Sequence, residues 1–429
     1  MNKAAVCTIG DELLIGQVTD TNSPYIAKEL NRLGIKVDTM VSIADDTGAI
    51  LACLKKLTEK YRIVIVTGGL GPTRDDITKK ALGILTGSGS TYIHQGQLSV
   101  IHELLASRGI SLEGKNHDQA SVPDTASVIV NRRGTAPCMV FDMHGASASI
   151  LYSLPGVPYE VEGLMPDVSD DIVKRLRLGR ICHETMLTFG IAESTLADMI
   201  EDWEQKLPEG FRLAYLPDPI KGVRLRLSVY DSENYEDCMK KIRAEFSKLV
   251  PVLGNAIYGF GDETSLQTVI GHILSSNRKT LSVAESCTGG TVSSLITSVP
   301  GASRFFYGGV VSYHNKVKAD TLNVPEHIIA RYGAVSRECA EAMALGVMKA
   351  IGTDYSVATT GIAGPGGGSA DKPVGTVWIA VAFPDNGKTG IKSQCFRFNS
   401  DRTSNIRRFS ATALNMLRLV LPAGQVQAL

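Results

Sequence analysis

Between Thr280 and Ile296 the chain reads TLSVAESCTGGTVSSLI, and Ser286 is the residue there best suited to chemistry. It stands just before a cysteine, a threonine and two glycines, where an apolar run gives way to a helix-like pattern. A serine becomes a useful nucleophile when a base takes its proton and fixed donors receive the charge that develops on its target. A glycine turn at a helix start offers such donors, because the first backbone N–H groups of a helix have no internal partner. The amides around Thr288, Gly289 and Gly290 are therefore candidates to hold an oxyanion or a phosphate. The same residue types also suit a plain helix cap, with Ser286 or Thr288 accepting from the backbone.

Two later stretches add the groups this chemistry requires. Val310 to Asp320, VVSYHNKVKAD, reads as a strand entering a helix and delivers Tyr313, His314, Lys316 and Lys318 within a few residues. Tyr355 to Ala382, YSVATTGIAGPGGGSADKPVGTVWIAVA, reads as strand, glycine-rich loop and strand, with Thr359 and Thr360 where the first strand meets the loop. Open α/β sheets bind ligands at the carboxyl ends of their strands. All three stretches put polar groups at that position, so they predict three edges of one pocket.

The first half alternates strands and helices in the same way. Lys3 to Ile9, Ile35 to Ile43 and Ile63 to Val66 read as strands, and the helix patterns end at Gly34 and Lys60. The third strand runs into TGGLGPTRDDITKKAL, whose glycines permit close backbone approach to a ligand. Asp75 and Asp76 stand just before the next helix, where acids either stabilise the helix dipole or serve as hard ligands for a divalent cation. After Pro166 the pattern predicts a charged helix, then a strand from Glu184 to Phe189. A helix capped around Glu193 and Ser194 follows, then two strands about a Pro217, Pro219, Gly222 turn, and a helix from Asn234 to Leu249. In this small α+β module Arg224 and Arg226 alternate with Leu225 and Leu227, as on a solvent-facing strand. The final helix pattern, IRRFSATALNMLRLVL, buries Phe409, Ala413, Leu414 and Leu417, with Arg407 and Arg408 read as solvated.

Composition narrows the function classes. The 429 residues are enough for two or three domains. Lys plus Arg equals Asp plus Glu at 44 each, so no global field draws the chain to nucleic acid or an anionic membrane. The eight cysteines are scattered without zinc spacing, as expected for reduced thiols in a cytoplasmic protein. Cys287 is read as a small buried hydrophobe in preference to a nucleophile. The chain's start lacks a signal-peptide pattern and no apolar run reaches the ~20 residues that span a bilayer. No Walker loop and no G-x-G-x-x-G occurs, which argues against a nucleotide kinase or an ordinary NAD dehydrogenase.

AESCTGG, GGVVSYHNKVK, TTGIAGPGGGSADKPVGTVW and FNSDRTSNIRR together resemble the carboxyl-terminal domain of the CinA family. That resemblance implies deamidation of nicotinamide mononucleotide, with Ser286 as nucleophile, Lys318 as its base and Tyr313 relaying a proton. His314 is the rival base, since an imidazole needs no large pKa shift. Thr288, Gly289 and Gly290, Thr360, Gly361 and Gly364 of the glycine loop, and Arg402 for the phosphate are the implied substrate contacts. No cofactor is expected in this domain.

In the first half GDELL, DTNSPYIAKEL, TGGLGPTRDDIT, NRRGTAPC and LPGVPYEVEGL resemble the MoaB/MogA (molybdopterin-binding-like) domain in the form found at the amino terminus of CinA. The implied activity is metal-dependent hydrolysis of ADP-ribose. Asn22, Thr67, Gly68, Gly69, Gly71, Thr73, Thr78 and Gly156 are then substrate contacts, and Asp75, Asp76 and Glu160 ligands of a divalent metal ion. Cys138 stands where the family has glycine. The expected architecture is α/β throughout: a three-layer α/β domain over 1–168, a small α+β connector over 169–257 and an α/β deamidase domain over 258–429. The family further implies a homodimer. The competing readings are a nucleotide-binding regulatory protein without catalysis and a partner-binding protein of the competence or DNA-damage response.

Overall fold

The computed structural model describes residues 2–71, 77–106, 115–144, 148–176, 178, 180–232 and 234–422. The chain forms two compact units, Met1–Cys182 with Val229–Cys238, and His183–Ser228 with Met239–Leu429. Among the described residues no helix is long and apolar enough to cross a membrane.

The first unit is built on a six-stranded sheet of β1 (Lys3–Ile9), β2 (Lys36–Ile43), β3 (Ile63–Thr67), β4 (Ser127–Ile129), β5 (Cys138–Asp142) and β6 (Ile150–Leu154), in the order β2-β1-β3-β6-β5-β4. β2, β1, β3 and β6 run parallel; β5 and β4 are antiparallel additions. Successive side chains of a strand face opposite ways, so Ala4 and Val6 meet one helical layer and Ala5 and Cys7 the other. Ile26 and Leu30 of α1 (Asn22–Arg32) and Val161, Leu164 and Val168 of α2 (Pro158–Arg175) cover the first face. Ile50, Leu54, Ala81 and Leu82 cover the second. This is a three-layer α/β domain.

Here the helix expected only after Pro166 proves to begin at Pro158 and to continue through Pro166 as one element of 18 residues. Pro158 sits at the helix start, where a missing N–H costs nothing. Pro166 forfeits one internal bond, and the burial of Val161, Leu164, Met165, Val168 and Ile172 along one side outweighs that loss. Cys138 opens β5 and is fully buried in the core, so the position where the family carries glycine is a packing site here.

The connecting module is a four-stranded sheet of β7 (Arg180–Thr188), β8 (Phe211–Asp218), β9 (Gly222–Ser232) and β10 (Ile257–Phe260), in the order β8-β9-β7-β10. Its helices are α3 (Glu193–Gln205) and α4 (Tyr235–Ser247). No side chain caps α3: Ala192 holds the cap position, and the cap expected near Glu193 and Ser194 is absent.

The last domain is a five-stranded mixed sheet of β11 (Leu281–Glu285), β12 (Phe306–Val311), β13 (Tyr355–Gly361), β14 (Thr376–Asp385) and β15 (Lys388–Arg397), ordered β12-β11-β13-β14-β15. β12, β11 and β13 are parallel, and their carboxyl ends therefore meet at one edge. On one face Leu281, Val283, Val357, Ile379 and Val381 pack against α5 (Leu266–Ser276), α6 (Thr291–Thr297) and α9 (Arg402–Arg418). On the other, small residues Ala284, Ala358, Ala380 and Ala382 admit α8 (Arg337–Ile351) through Ala340, Met343, Ala344 and Val347. Ser265 caps α5 in a reciprocal arrangement with Thr268.

Gly375 ends the glycine-rich loop at φ +89°, and a Cβ there would stand 1.6 Å from the carbonyl oxygen of Phe398. Gly375→Ala combines left-handed strain with overpacking, an expected loss of about 3 kcal/mol. Urea unfolding followed through the last domain's transition measures it; an unchanged midpoint would show that the loop gives way freely.

Candidate active site

The carboxyl ends of β11, β12 and β13 enclose a cavity of about 270 Å³ lined by Ser286, Cys287, Tyr313, Asn315, Lys318, Thr360, Gly361, Gly364, Gly367 and Arg402, among others. Ser286 follows β11 directly and is 8% exposed; its N–H donates to Thr359 O at 2.9 Å, which ties the turn to β13. Lys318, on α7 (Asn315–Leu322), is 1% exposed. Its Nζ lies 3.1 Å from Ser286 Oγ, 2.7 Å from Ser312 O and 3.3 Å from Tyr313 O. Burial pushes its pKa below the ordinary lysine value, opposed only by the thiols of Cys339 and Cys287. A neutral amine has two hydrogens and one lone pair. Two carbonyls to accept the hydrogens and one hydroxyl to face the lone pair are the set that such an amine requires.

The helix N-terminus beside the serine is already occupied. Glu285, fully buried at the end of β11, accepts from the N–H groups of Gly290 (2.9 Å), Val292 (3.0 Å) and Ser293 (2.8 Å) and from Ser293 Oγ (2.7 Å). Neither Ser286 nor Thr288 caps α6, and the amide of Gly290 is not open to a substrate. Gly289 N donates to Ser286 O, and the Thr288 hydroxyl pairs with Thr359 Oγ1 at 2.7 Å. Thr288, Gly289 and Gly290 are thus outside the cavity lining, contrary to expectation. The physical reason is that a carboxylate one residue before the serine outcompetes water or a ligand for the same donors. Among the described residues the N–H of Cys287, a lining residue, donates to no other residue's backbone or side chain, which leaves it as the nearest oxyanion donor.

The remaining groups fall as follows. Thr360, Gly361, Gly364 and Arg402 line the cavity. Arg402 opens α9 and donates to Gly364 O at 2.6 Å and to the Tyr313 hydroxyl at 3.1 Å. The phenol of Tyr313, 60% exposed, is thus held at the mouth and not against the serine–lysine pair. Thr360 Oγ1 donates to Ala334 O. His314 is the cap of α7, its Nδ1 accepting from Lys316 N, and it does not line the cavity; Lys316 points to solvent near Asp320. Burial drives the Cys287 thiol up to about 12, which suits a packing role. Asn315, in the lining, carries no sequence signal beyond its place between His314 and Lys316.

In the first unit a cavity of about 450 Å³ is lined by Asn22, Thr67, Gly68, Gly69, Gly71 and Gly156, together with Glu12, Asp20 and Asp45. Asn22 Nδ2 donates to Gly156 O at 2.8 Å and to Thr67 Oγ1 at 3.2 Å, and Thr67 Oγ1 donates to Pro155 O. These bonds join α1, the end of β3 and the turn before α2 into one rim. Thr78 is fully buried behind Gly69 and is not part of it. Glu160 is not brought to the cavity either. Its carboxylate accepts from Asn131 Nδ2 at 2.6 Å beneath Gly134, and burial raises its pKa. Thr73, Asp75 and Asp76 lie outside the described residues. Among the described residues no three of His, Cys, Asp and Glu gather to hold a metal ion, so those present do not by themselves fit one.

Three family models match the chain. "CinA C-terminal domain" covers residues 263–421, "Probable molybdopterin binding domain" 5–175, and "Damage-inducible protein CinA KH domain" 183–259. A CinA-like protein of Cytophaga hutchinsonii is 42% identical over 416 residues, covering 97% of each chain. One of Flavobacterium psychrophilum is 42% identical over 422 residues, again covering 97% of each. A solved structure of competence/damage inducible protein CihA from Agrobacterium tumefaciens is 38% identical, covers 36% of this chain and 92% of its own, and superimposes with a TM-score of 0.34. The KH match falls on the connecting module. KH domains clamp a nucleic-acid backbone with a G-x-x-G loop, whereas the glycines of residues 183–259 stand at 190, 210, 222, 254 and 259, no two of them three apart.

Glu285→Ala strips one acceptor from three backbone donors and a hydroxyl. Some of these are recovered by water, so the expected cost is about 3 kcal/mol. Urea unfolding of the last domain reads it, with Glu285→Gln falling between alanine and the parent because its NH2 faces a donor; parity of all three would refute the capping role.

Proposed function

The chain belongs to the CinA family, and we propose that its last domain hydrolyses the carboxamide of nicotinamide mononucleotide to nicotinic acid mononucleotide and ammonia. The observation that carries this reading is Lys318 Nζ at 3.1 Å from Ser286 Oγ in a buried site. Neutral Lys318 takes the serine proton as Oγ attacks the carboxamide carbon. The tetrahedral oxyanion is met by the amide of Cys287, a donor fixed in place by the turn. Lys318, now an ammonium, returns the proton to the departing nitrogen, and ammonia leaves an acyl ester on Ser286. Lys318 then accepts a proton from the water that attacks the ester, and returns that proton to Ser286 Oγ as the ester bond breaks; the nicotinic acid product loses its own proton to solvent as the carboxylate. The proton relay assigned to Tyr313 is unnecessary in this sequence, because its hydroxyl is engaged by Arg402; we assign it to closing the mouth. Arg402 takes the substrate phosphate, and Thr360 with the 361–367 loop borders the ribose. A cavity of about 270 Å³ lies at the small end of ligand sites, which favours a mononucleotide over a dinucleotide.

For the first domain we propose ADP-ribose as substrate, on the larger cavity rimmed by Asn22, Thr67 to Gly71 and Gly156. A divalent cation belongs to that reading through Asp75 and Asp76, not through Glu160.

If Lys318 is the base, kcat should rise with pH through a lysine pKa lowered below the free value of about 10.4. Lys318→Arg should lose at least about 10³-fold in kcat, since guanidinium stays protonated. An arginine variant that keeps kcat and only raises KM would make Lys318 a phosphate anchor, and loss of the acid limb in His314→Ala would move the role to the histidine.

Ser286→Ala should abolish ammonia release while ADP-ribose hydrolysis persists, and EDTA should do the reverse. Parallel loss of both activities in a folded variant would contradict two separate sites.

A further inference from the structure

Within the second unit, a cavity of about 1020 Å³ is lined by residues of both the KH module and the last domain. Phe189, just after β7, lines it with Phe396 of β15 and Phe398, and the last two rings stack at 6.4 Å and 19°. Arg408 lines it from α9. The sequence pattern places it in solvent, but it is half-buried, and its Nε is shut off from solvent with no hydrogen-bond partner. Among the described residues it makes no ion pair.

Arg418, nearly three turns further along the same helix, also lines the cavity. Its donors go to Asn255 O, Ile257 O and Asn415 Oδ1, every one a neutral acceptor. Burial lowers its pKa accordingly. Two guanidinium groups thus share a cavity with no carboxylate paired to either. Asp218 accepts from the N–H groups of Ile220 and Lys221, and Glu193 is the other acid in the lining. Removing a charge from water without a counter-charge is costly, and an anion entering from solvent would recover that cost. Aromatic walls accept a planar ring in offset stacking, and the volume is that of a small-molecule site.

We propose that this cavity is a second ligand site, taking a phosphate-bearing aromatic molecule of the nucleoside monophosphate class. The ring lies against Phe189, Phe396 and Phe398. The phosphate meets the donors of Arg408 in the field of Arg418, and Glu193 accepts from a ribose hydroxyl. The site is distinct from the serine–lysine cavity, although α9 contributes to both, through Arg402 at its start and through Arg408 and Arg418 beyond.

Titration calorimetry of the full chain with AMP tests it, with adenosine and inorganic phosphate as separate arms. AMP should bind more tightly than either fragment. Arg408→Gln should weaken AMP at least about tenfold, as expected for removal of a desolvated charge partner. Gln394→Trp, an exposed lining position whose ring would fill the cavity, should abolish the same heat and keeps the test decisive if the arginine variant fails to fold. The proposal is overturned if the parent chain binds no AMP or if both variants keep the parent isotherm, which would put the binding elsewhere. Adenosine or phosphate alone matching AMP would overturn it equally.

Discussion

The serine–lysine site depends on one carboxylate. Glu285 ends β11 pointing into the start of α6, where it satisfies three N–H groups and a hydroxyl. A seven-residue helix is too short to be stable by its own internal bonds, so a buried acceptor at its first turn both fixes it and sets the path of the turn between. Ser286 is the first residue of that turn. Its backbone is held from one side by Thr359 O and from the other by Gly289 N, leaving the hydroxyl to face the cavity. The glycines serve this closure: Gly289 and Gly290 take positive φ (60° and 99°) so that the chain can fold back over the carboxylate.

Once the helix dipole is spent on Glu285, the site must find its polarity elsewhere. Its buried amine is Lys318, whose Nζ meets two carbonyl oxygens and one hydroxyl with no acid among them. Desolvation acts on the charged form and the carbonyls act on the hydrogens, so the balance tips towards neutral amine while its orientation stays fixed. A carboxylate partner would have reversed that balance and left an ammonium unable to accept a proton. The site therefore separates two electrostatic tasks: a buried acid holds the turn, and a buried amine, kept apart from that acid, stands 3.1 Å from the hydroxyl it is proposed to activate.

Much of this was legible in the sequence because each strand ends where its chemistry begins. Ser286, Lys318 and Thr360 follow apolar runs whose carboxyl ends must converge in a parallel sheet, and the alternation of Ala4, Val6 against Ala5, Cys7 follows from the strand period alone. What was not legible concerns pairings between distant residues. Glu285 reads as one more polar residue at a strand end, and its capping bonds become visible only when the turn is closed. The contact of Arg402 with Tyr313 joins residues 89 apart. Glu160 carries a metal-ligand residue type, yet Asn131 and Gly134 enclose its carboxylate. Pro166 reads as a break because propensity speaks for the single residue, whereas five buried side chains on the same face decide the helix.

The same separation is what the proposed anionic ligands require of a chain with equal numbers of cationic and anionic residues. A net field would act at long range and attract polyanions indiscriminately, whereas charges placed singly in cavities act only on what fits. Arg402 at the start of α9 is steered by Gly364 O and the Tyr313 hydroxyl, both neutral, so its charge remains uncompensated at the mouth. Arg408 and Arg418 on the same helix are likewise spared carboxylate partners. Some arginines elsewhere on the surface are paired with acids, as Arg132 with Asp167 and Arg337 with Glu341. Among the described residues the three arginines of α9 that line cavities, Arg402, Arg408 and Arg418, have no carboxylate partner, whereas Arg132 and Arg337 each meet an acid.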